Sequence, residues 1–164
     1  MRDFPALLLS VTLALVAAVP AGAVTVEDVL FYLPFEGDLE PRIAAGEATP
    51  QVKGEFTFAD GYRWQVVLVG GPDMELTYRA PGNVNPAEGT VMCWVKPVDW
   101  EARDGRHHWF FDLRAREGPG RFILYKYAAW QTFFYVRSDD ATIQVAKSNH
   151  MWQPGEGTHV AGTW

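Results

Sequence analysis

The sequence predicts an all-β protein, an antiparallel two-sheet β-sandwich, and three observations carry that expectation. Short apolar runs alternate with Gly- and Pro-rich turns along most of the chain. The composition favours strands, with 7 Trp, 6 Tyr and 10 Phe beside many Val and Thr. Finally, the stretch Gly89-Thr90-Val91-Met92-Cys93-Trp94-Val95-Lys96-Pro97 alternates strictly. Val91, Cys93 and Val95 fall on one side of a strand, and Met92, Trp94 and Lys96 on the other. The first set is small and apolar, suited to a core between two sheets. Pro97 ends the strand because it cannot donate to a ladder.

Ahead of this domain, Arg2, the apolar run 6–19 and the small residues Ala21-Gly22-Ala23 read as a secretory signal spanning residues 1–23. The run falls short of the roughly 20 apolar residues of an untilted transmembrane helix. Residues 24–164 are then one exported domain, secreted or periplasmic, long enough for a core of its own. A net charge of −6 argues against nucleic acid, which selects basic patches. No second apolar span follows, so no membrane insertion is expected after signal cleavage. Cys93 is the sole cysteine, which excludes an internal disulfide. On the apolar side of its strand it reads as a small core residue rather than a nucleophile.

In chain order, a first strand is expected over residues 29–33, ended by Pro34-Phe35 and a turn at Gly37-Asp38. Residues 40–54 read as irregular, broken by Pro41, Gly46 and Pro50. Short strands follow at 55–58, 63–69 and 75–79, with turns at Asp60-Gly61 and Gly70-Gly71-Pro72-Asp73. Beyond the alternating strand come 109–114, a hairpin of 121–127 and 132–137 around Ala128-Ala129-Trp130, then 142–146 and 158–164.

Alternation also predicts facing. With Val91, Cys93 and Val95 inward, the matching inner sets are Trp109, Phe111 and Leu113, then Ile123 and Tyr125, then Phe134 and Val136. The outer sets are His108, Phe110, Asp112 and Arg114, then Leu124 and Lys126, then Tyr135 and Arg137. Every charge in these strands then falls outside, Arg121 excepted, provided that no bulge intervenes. An outer face of rings and charges suits carbohydrate: rings stack on the C–H face of a pyranose, while Arg and Asp bond its hydroxyls.

Several stretches together resemble a known family. Gly82-Asn83-Val84-Asn85-Pro86-Ala87-Glu88-Gly89-Thr90 running into Cys93-Trp94-Val95-Lys96-Pro97 is similar to the laminin G-like branch of the concanavalin A-like lectin/glucanase superfamily. Leu33-Pro34-Phe35-Glu36-Gly37 resembles its opening strand and turn, and Phe122-Ile123-Leu124-Tyr125-Lys126 its middle hairpin. Trp152-Gln153-Pro154-Gly155-Glu156 followed by His159-Val160-Ala161-Gly162-Thr163-Trp164 resembles its late signature. The resemblance implies a jelly-roll. It departs from the family at Gly157 and Thr158, and the chain stops at Trp164, before the strands that would follow. The expectation is therefore a domain incomplete at its C-terminus, of marginal stability alone.

The same superfamily includes glycoside hydrolases with an E-x-D-x-E strand, and Glu36-Gly37-Asp38-Leu39-Glu40 matches that pattern literally. Gly37 and the bracketing Pro34 and Pro41 make it read as a solvated turn instead, so no enzyme is expected. His107 and His108 point opposite ways on a strand and cannot readily share a metal. Asp139-Asp140 and Asp99 with Asp104 could offer oxygens to Ca²⁺, which the resemblance allows, but neither repeats a six-oxygen loop. No cofactor is expected and no metal site is placed.

The function expected is non-catalytic recognition, with carbohydrate as the ligand class the superfamily implies. The candidate ligand residues are Trp94, Trp100, Asp112, Arg114, Lys126, Trp130, Tyr135 and Arg137. Protein or cell-surface adhesion, as a spacer among further domains of a larger protein, is the second reading. A polysaccharide hydrolase using Glu36, Asp38 and Glu40 is the third.

Overall fold

The computed structural model describes residues 23–61 and 64–164. The expected signal, residues 1–23, lies outside them except for Ala23. After a 3-10 turn (Val26–Asp28) come β1 (Phe31–Tyr32), β2 (Ile43–Ala44), β3 (Gln51–Lys53), β4 (Thr57–Asp60), β5 (Gln65–Leu68) and β6 (Glu75–Thr77). They are followed by β7 (Thr90–Val95), β8 (His108–Arg114), β9 (Arg121–Lys126), β10 (Gln131–Arg137), β11 (Ile143–Asn149) and β12 (Thr158–Thr163). The protein is all-β and its pairings are antiparallel. A four-stranded sheet runs in the order β11-β10-β9-β8, β12 pairs with β7, and β1–β2, β3–β6 and β4–β5 form short ribbons.

The turns explain the long sheet. Between β8 and β9, Gly118 takes φ 86°, and the Ala115 N–H closes the loop on the Gly120 carbonyl at 2.9 Å. Between β9 and β10 the Tyr127 N–H reaches the Gln131 carbonyl at 2.7 Å. Asp140 tightens the next turn by accepting the Thr142 N–H at 2.9 Å.

The β7–β12 ribbon lies over the four-stranded sheet and makes the sandwich. Val91, Cys93 and Val95 turn inward as the alternation predicts, and burial pushes the Cys93 thiol up to about 11. On β12, Gly162 comes so close to Phe134 that a Cβ there would sit 2.5 Å from the ring. Trp164 packs on Phe122 with ring centroids 5.0 Å apart. Trp152, at 0% exposure, closes one end of the layer. Its indole N–H donates to the Thr132 hydroxyl at 3.0 Å, which satisfies both buried groups.

The inner face of the sheet differs from the alternation in two strands. Direct cross-strand partners share a face, and Phe134 pairs with Leu124, not with Ile123. Leu124 and Lys126 are therefore inside, at 2% and 0% exposure. Ile123 and Tyr125 lie on the opposite side of the sheet, where Ile123 is covered by its neighbours to 4% exposure and Tyr125 is half-buried. In β8 the register shifts between Trp109 and Phe111. Phe110 is the extra residue of a bulge. His108 and Phe110 consequently point inward, His108 stacking on Trp100 at 3.9 Å and Phe110 meeting Trp152 at 5.2 Å. Trp109, expected inside, is 51% exposed. Phe111 and Leu113 pair with Leu124 and Phe122 and stay inside as expected.

Lys126 is tolerated inside because the 101–106 loop supplies its partners. Its ammonium binds Asp104 and donates to the Arg106 carbonyl at 3.1 Å. Asp104 also meets His108 Nε2 at 2.6 Å and accepts the Arg106 N–H. Burial opposes ionisation of Asp104, but the bonds from Lys126, Arg106 and His108 outweigh it and hold the carboxyl well below its usual range.

On the other side of the chain, the stretch expected to be irregular contains β2 and β3. The buried Asn83 ties it down, with its amide donating to the Glu47 and Arg79 carbonyls and accepting the Gly46 N–H. Phe31 and Tyr78 meet edge-on at 5.0 Å.

Two outcomes test this packing. Gly162→Ala should lower stability by about 1–3 kcal/mol through overpacking against Phe134. Gly157→Ala should stay within about 0.5 kcal/mol, since nothing lies within 4 Å of its added Cβ. Thermal unfolding of both variants checks this. Asp104→Ala strands a buried ammonium and should cost about 3–5 kcal/mol at neutral pH. Because the folded carboxyl is depressed, its stabilisation is present above the unfolded value near ~3.9 and fades as pH falls below that. Urea unfolding at pH 7 and pH 3 should therefore show the gap between variant and parent narrow in acid without closing.

Candidate functional site

The outer face of the four-stranded sheet is built of three rungs that run across the strands. Trp109, Tyr125, Phe133 and Lys147 form the first, Asp112, Ile123, Tyr135 and Val145 the second, and Arg114, Arg121, Arg137 and Ile143 the third. From Phe133 to Arg137 the face spans roughly 14 Å, at about 3.4 Å per residue.

The aromatic rung is continuous. Trp109 stacks on Tyr125 at 4.9 Å and 20°, and Tyr125 meets Phe133 at 5.7 Å. His107 extends it, lying 6.0 Å from Trp109 and nearly parallel. Burial, more than the neighbouring phenols, raises the Tyr125 hydroxyl. Tyr127, 41% exposed, flanks the end of the rung and meets Phe133 edge-on.

The charged rung is organised by Asp112. Arg114 donates to it from Nε and Nη2 at 3.0 and 2.6 Å. Arg121 donates from the neighbouring strand at 2.9 and 2.7 Å, one bond to each carboxylate oxygen. Burial opposes ionisation of Asp112, but Arg121 and Arg114 together hold its carboxyl below the ordinary range. The Arg121 guanidinium also lies 5.4 Å above the Trp109 ring, which joins the two rungs.

Of the residues expected to bind ligand, Asp112, Arg114, Tyr135 and Arg137 share this face. The other four do not. Lys126 is buried on the opposite side of the sheet with Asp104. Trp94 is on the outer side of the β7–β12 ribbon, 5.2 Å from His159, across the sandwich. Trp100 is wedged between His108 and Trp152, with Lys126 Nζ 5.9 Å from its ring, so this loop tryptophan is packing. Trp130, in the β9–β10 turn, carries the Arg103 guanidinium 5.0 Å over its ring. Trp109, Tyr125 and Arg121 are the members of the face that alternation put on the wrong side; Phe133 shares the parity of Tyr135 and Arg137 but was not among the candidates. Arg121, the charge that broke the expected facing, was the one signal in the sequence that the phase of β9 was inverted.

Other candidates are less developed. A cleft of about 310 Å³ opens between β12 and β10–β11, lined by Leu124, Phe134, Ala146 and Val160 among others, without a cluster of charges. The Glu36-Gly37-Asp38-Leu39-Glu40 segment is a bend, as expected, and not a strand. Asp38 there is bound by Arg42 at 2.9 Å and accepts the Glu40 N–H. Among the described residues no group of three or more His, Cys, Asp or Glu is arranged to hold a metal ion. Asp104 is committed to Lys126 and His108, and Asp140 to its own turn.

No family model, no curated protein and no solved structure matches the chain.

Proposed function

We propose that this protein is an exported, non-catalytic recognition module of laminin G-like type that binds carbohydrate on the outer face of its four-stranded sheet. The observation that carries the reading is the stacked Trp109–Tyr125–Phe133 rung, with Trp109 51% exposed and the other two rings half-buried, beside the Asp112–Arg114–Arg121 cluster. Flat rings at the sheet surface offer stacking area to the apolar face of a sugar at low cost in rotamer entropy. The clamped guanidiniums and carboxylate next to them are held in place before binding, so they can bond hydroxyls with little reorganisation.

Adhesion to a protein surface is the second reading, favoured by Ile143 and Val145, 54% and 51% exposed, which continue the face onto β11. A glycan array separates the two. Carbohydrate binding should appear, and Trp109→Ala should weaken it at least about tenfold, about 1.4 kcal/mol, as for a truncated aromatic anchor. Met92→Ala, on the opposite layer and 60% exposed, should leave it unchanged. An array without any signal, or a Trp109→Ala variant that binds like the parent, sinks the proposal.

A further inference from the structure

We infer that the third rung is an oxyanion subsite, so that the glycan taken by this face is an acidic polysaccharide. The inference rests on the carbohydrate reading above and sharpens it.

Three arginines stand directly opposite one another on three adjacent strands. Arg114 pairs with Arg121, and Arg121 with Arg137. Like charges in direct cross-strand register destabilise a sheet. Asp112 relieves two of them and is itself saturated by four hydrogen bonds from Arg114 and Arg121. Arg137 makes no ion pair among the described residues, and its Nε is shielded from solvent without a hydrogen-bond partner. Other carboxylates stay at the margin: Glu75 acts on Arg114 through space, and Asp139 lies against Gly120. The rung thus carries three guanidiniums against one bonded carboxylate, in a chain whose net charge is −6. This local reversal of sign is what an anionic ligand recognises.

Guanidinium geometry narrows the ligand. A planar fork presents paired N–H groups that match the two oxygens of a carboxylate or a sulfate ester, and it stays charged at any pH the fold survives. Lys147 adds a cation at the far end of the aromatic rung. A polymer stacked on Trp109 and Tyr125 would bring its acid group over Arg121 and Arg137, with no neutral hydroxyl able to offset the repulsion along the rung.

The test uses the full chain and two pairs of polymers, each pair alike in its rings and different in charge. Polygalacturonate is compared with its methyl ester, and dextran sulfate with dextran, by calorimetry at low and high salt. At least one acidic polymer should bind about tenfold or more tightly than its neutral partner, and that margin should shrink with salt. Whichever acidic polymer shows the margin identifies the oxyanion as carboxylate or sulfate. Arg137→Gln should abolish most of the margin, whereas Met92→Ala on the opposite layer should leave it intact. It should not lower the melting temperature, because it removes a like charge; Arg137→Lys, which keeps the charge but not the fork, should restore the margin only in part. Equal binding of acidic and neutral partners, or a margin untouched by Arg137→Gln, overturns the oxyanion subsite while leaving the carbohydrate reading intact. Binding to none of the four polymers, with no signal on the glycan array, overturns both.

Discussion

A single ammonium that has left water sets the orientation of the four-stranded sheet. Lys126 is wholly buried, and its place is held by Asp104 and the Arg106 carbonyl. A strand has only two phases, and a shift of one residue would exchange every side chain between its faces. With Lys126 and Leu124 inside, Tyr125, Ile123 and Arg121 have to face out. Pairing across β10 then brings Phe133, Tyr135 and Arg137 to the same side. Buried ion pairs often stabilise a fold no more than apolar packing of similar volume would, and this one acts through specificity. It makes the alternative phase costly, because that phase would part the two charges and carry Leu124 out of the core.

The bulge at Phe110 supplies what phase alone cannot. Trp109 and Asp112 are three residues apart, so an unbroken strand would put them on opposite faces. One inserted residue corrects the parity, and both reach the outer face. Asp112 thereby meets Arg121, and Arg121 reaches back over Trp109. The aromatic and charged rungs are contiguous because of this single irregularity. The same insertion turns Phe110 and His108 inward, where they line Trp100 and Trp152. One local defect therefore serves the packing and the exposed face together.

Much of the fold was legible in the sequence because it depended on local chemistry. The alternation of residues 90–95, the inward Cys93, the Gly- and Pro-marked turns and the bend at Glu36-Gly37-Asp38 all follow from neighbours in the chain. What failed depended on partners distant in sequence. Lys126 was placed outside by the rule that charges face water, and Asp104 lies 22 residues earlier in a loop whose course no periodicity reveals. β9 is apolar at Phe122, Ile123 and Leu124 alike, so its own pattern could not choose a phase. Trp100 was given a ligand role because loop tryptophans lack an obvious structural excuse, yet His108 and Trp152 provide one. Half of the candidate residues nevertheless lie on the face the structure singles out. Asp112 and Arg114, past the bulge, regained the expected parity, and Tyr135 and Arg137 belong to a strand whose alternation was never interrupted.

The arginine rung is where local and global preference disagree. Natural sequences are mostly consistent from propensity through packing to electrostatics, and departures concentrate where function demands them. The inner face obeys the rule: its one buried ammonium is bonded, and the Trp152 indole and Thr132 hydroxyl satisfy each other. Outside, Arg121 is opposed on both flanks by another guanidinium, although polar side chains of either sign would serve solubility there. Asp112 answers part of the charge and, by clamping Arg114 and Arg121, fixes where the rest is presented. A surface meant only to face water has no need of such fixation, since exposed ion pairs contribute about 0–1 kcal/mol. Held in register beside a stacked aromatic rung, the same groups form a polar edge to an apolar platform, and it is on this arrangement that the proposed recognition of a polar, ring-shaped ligand rests.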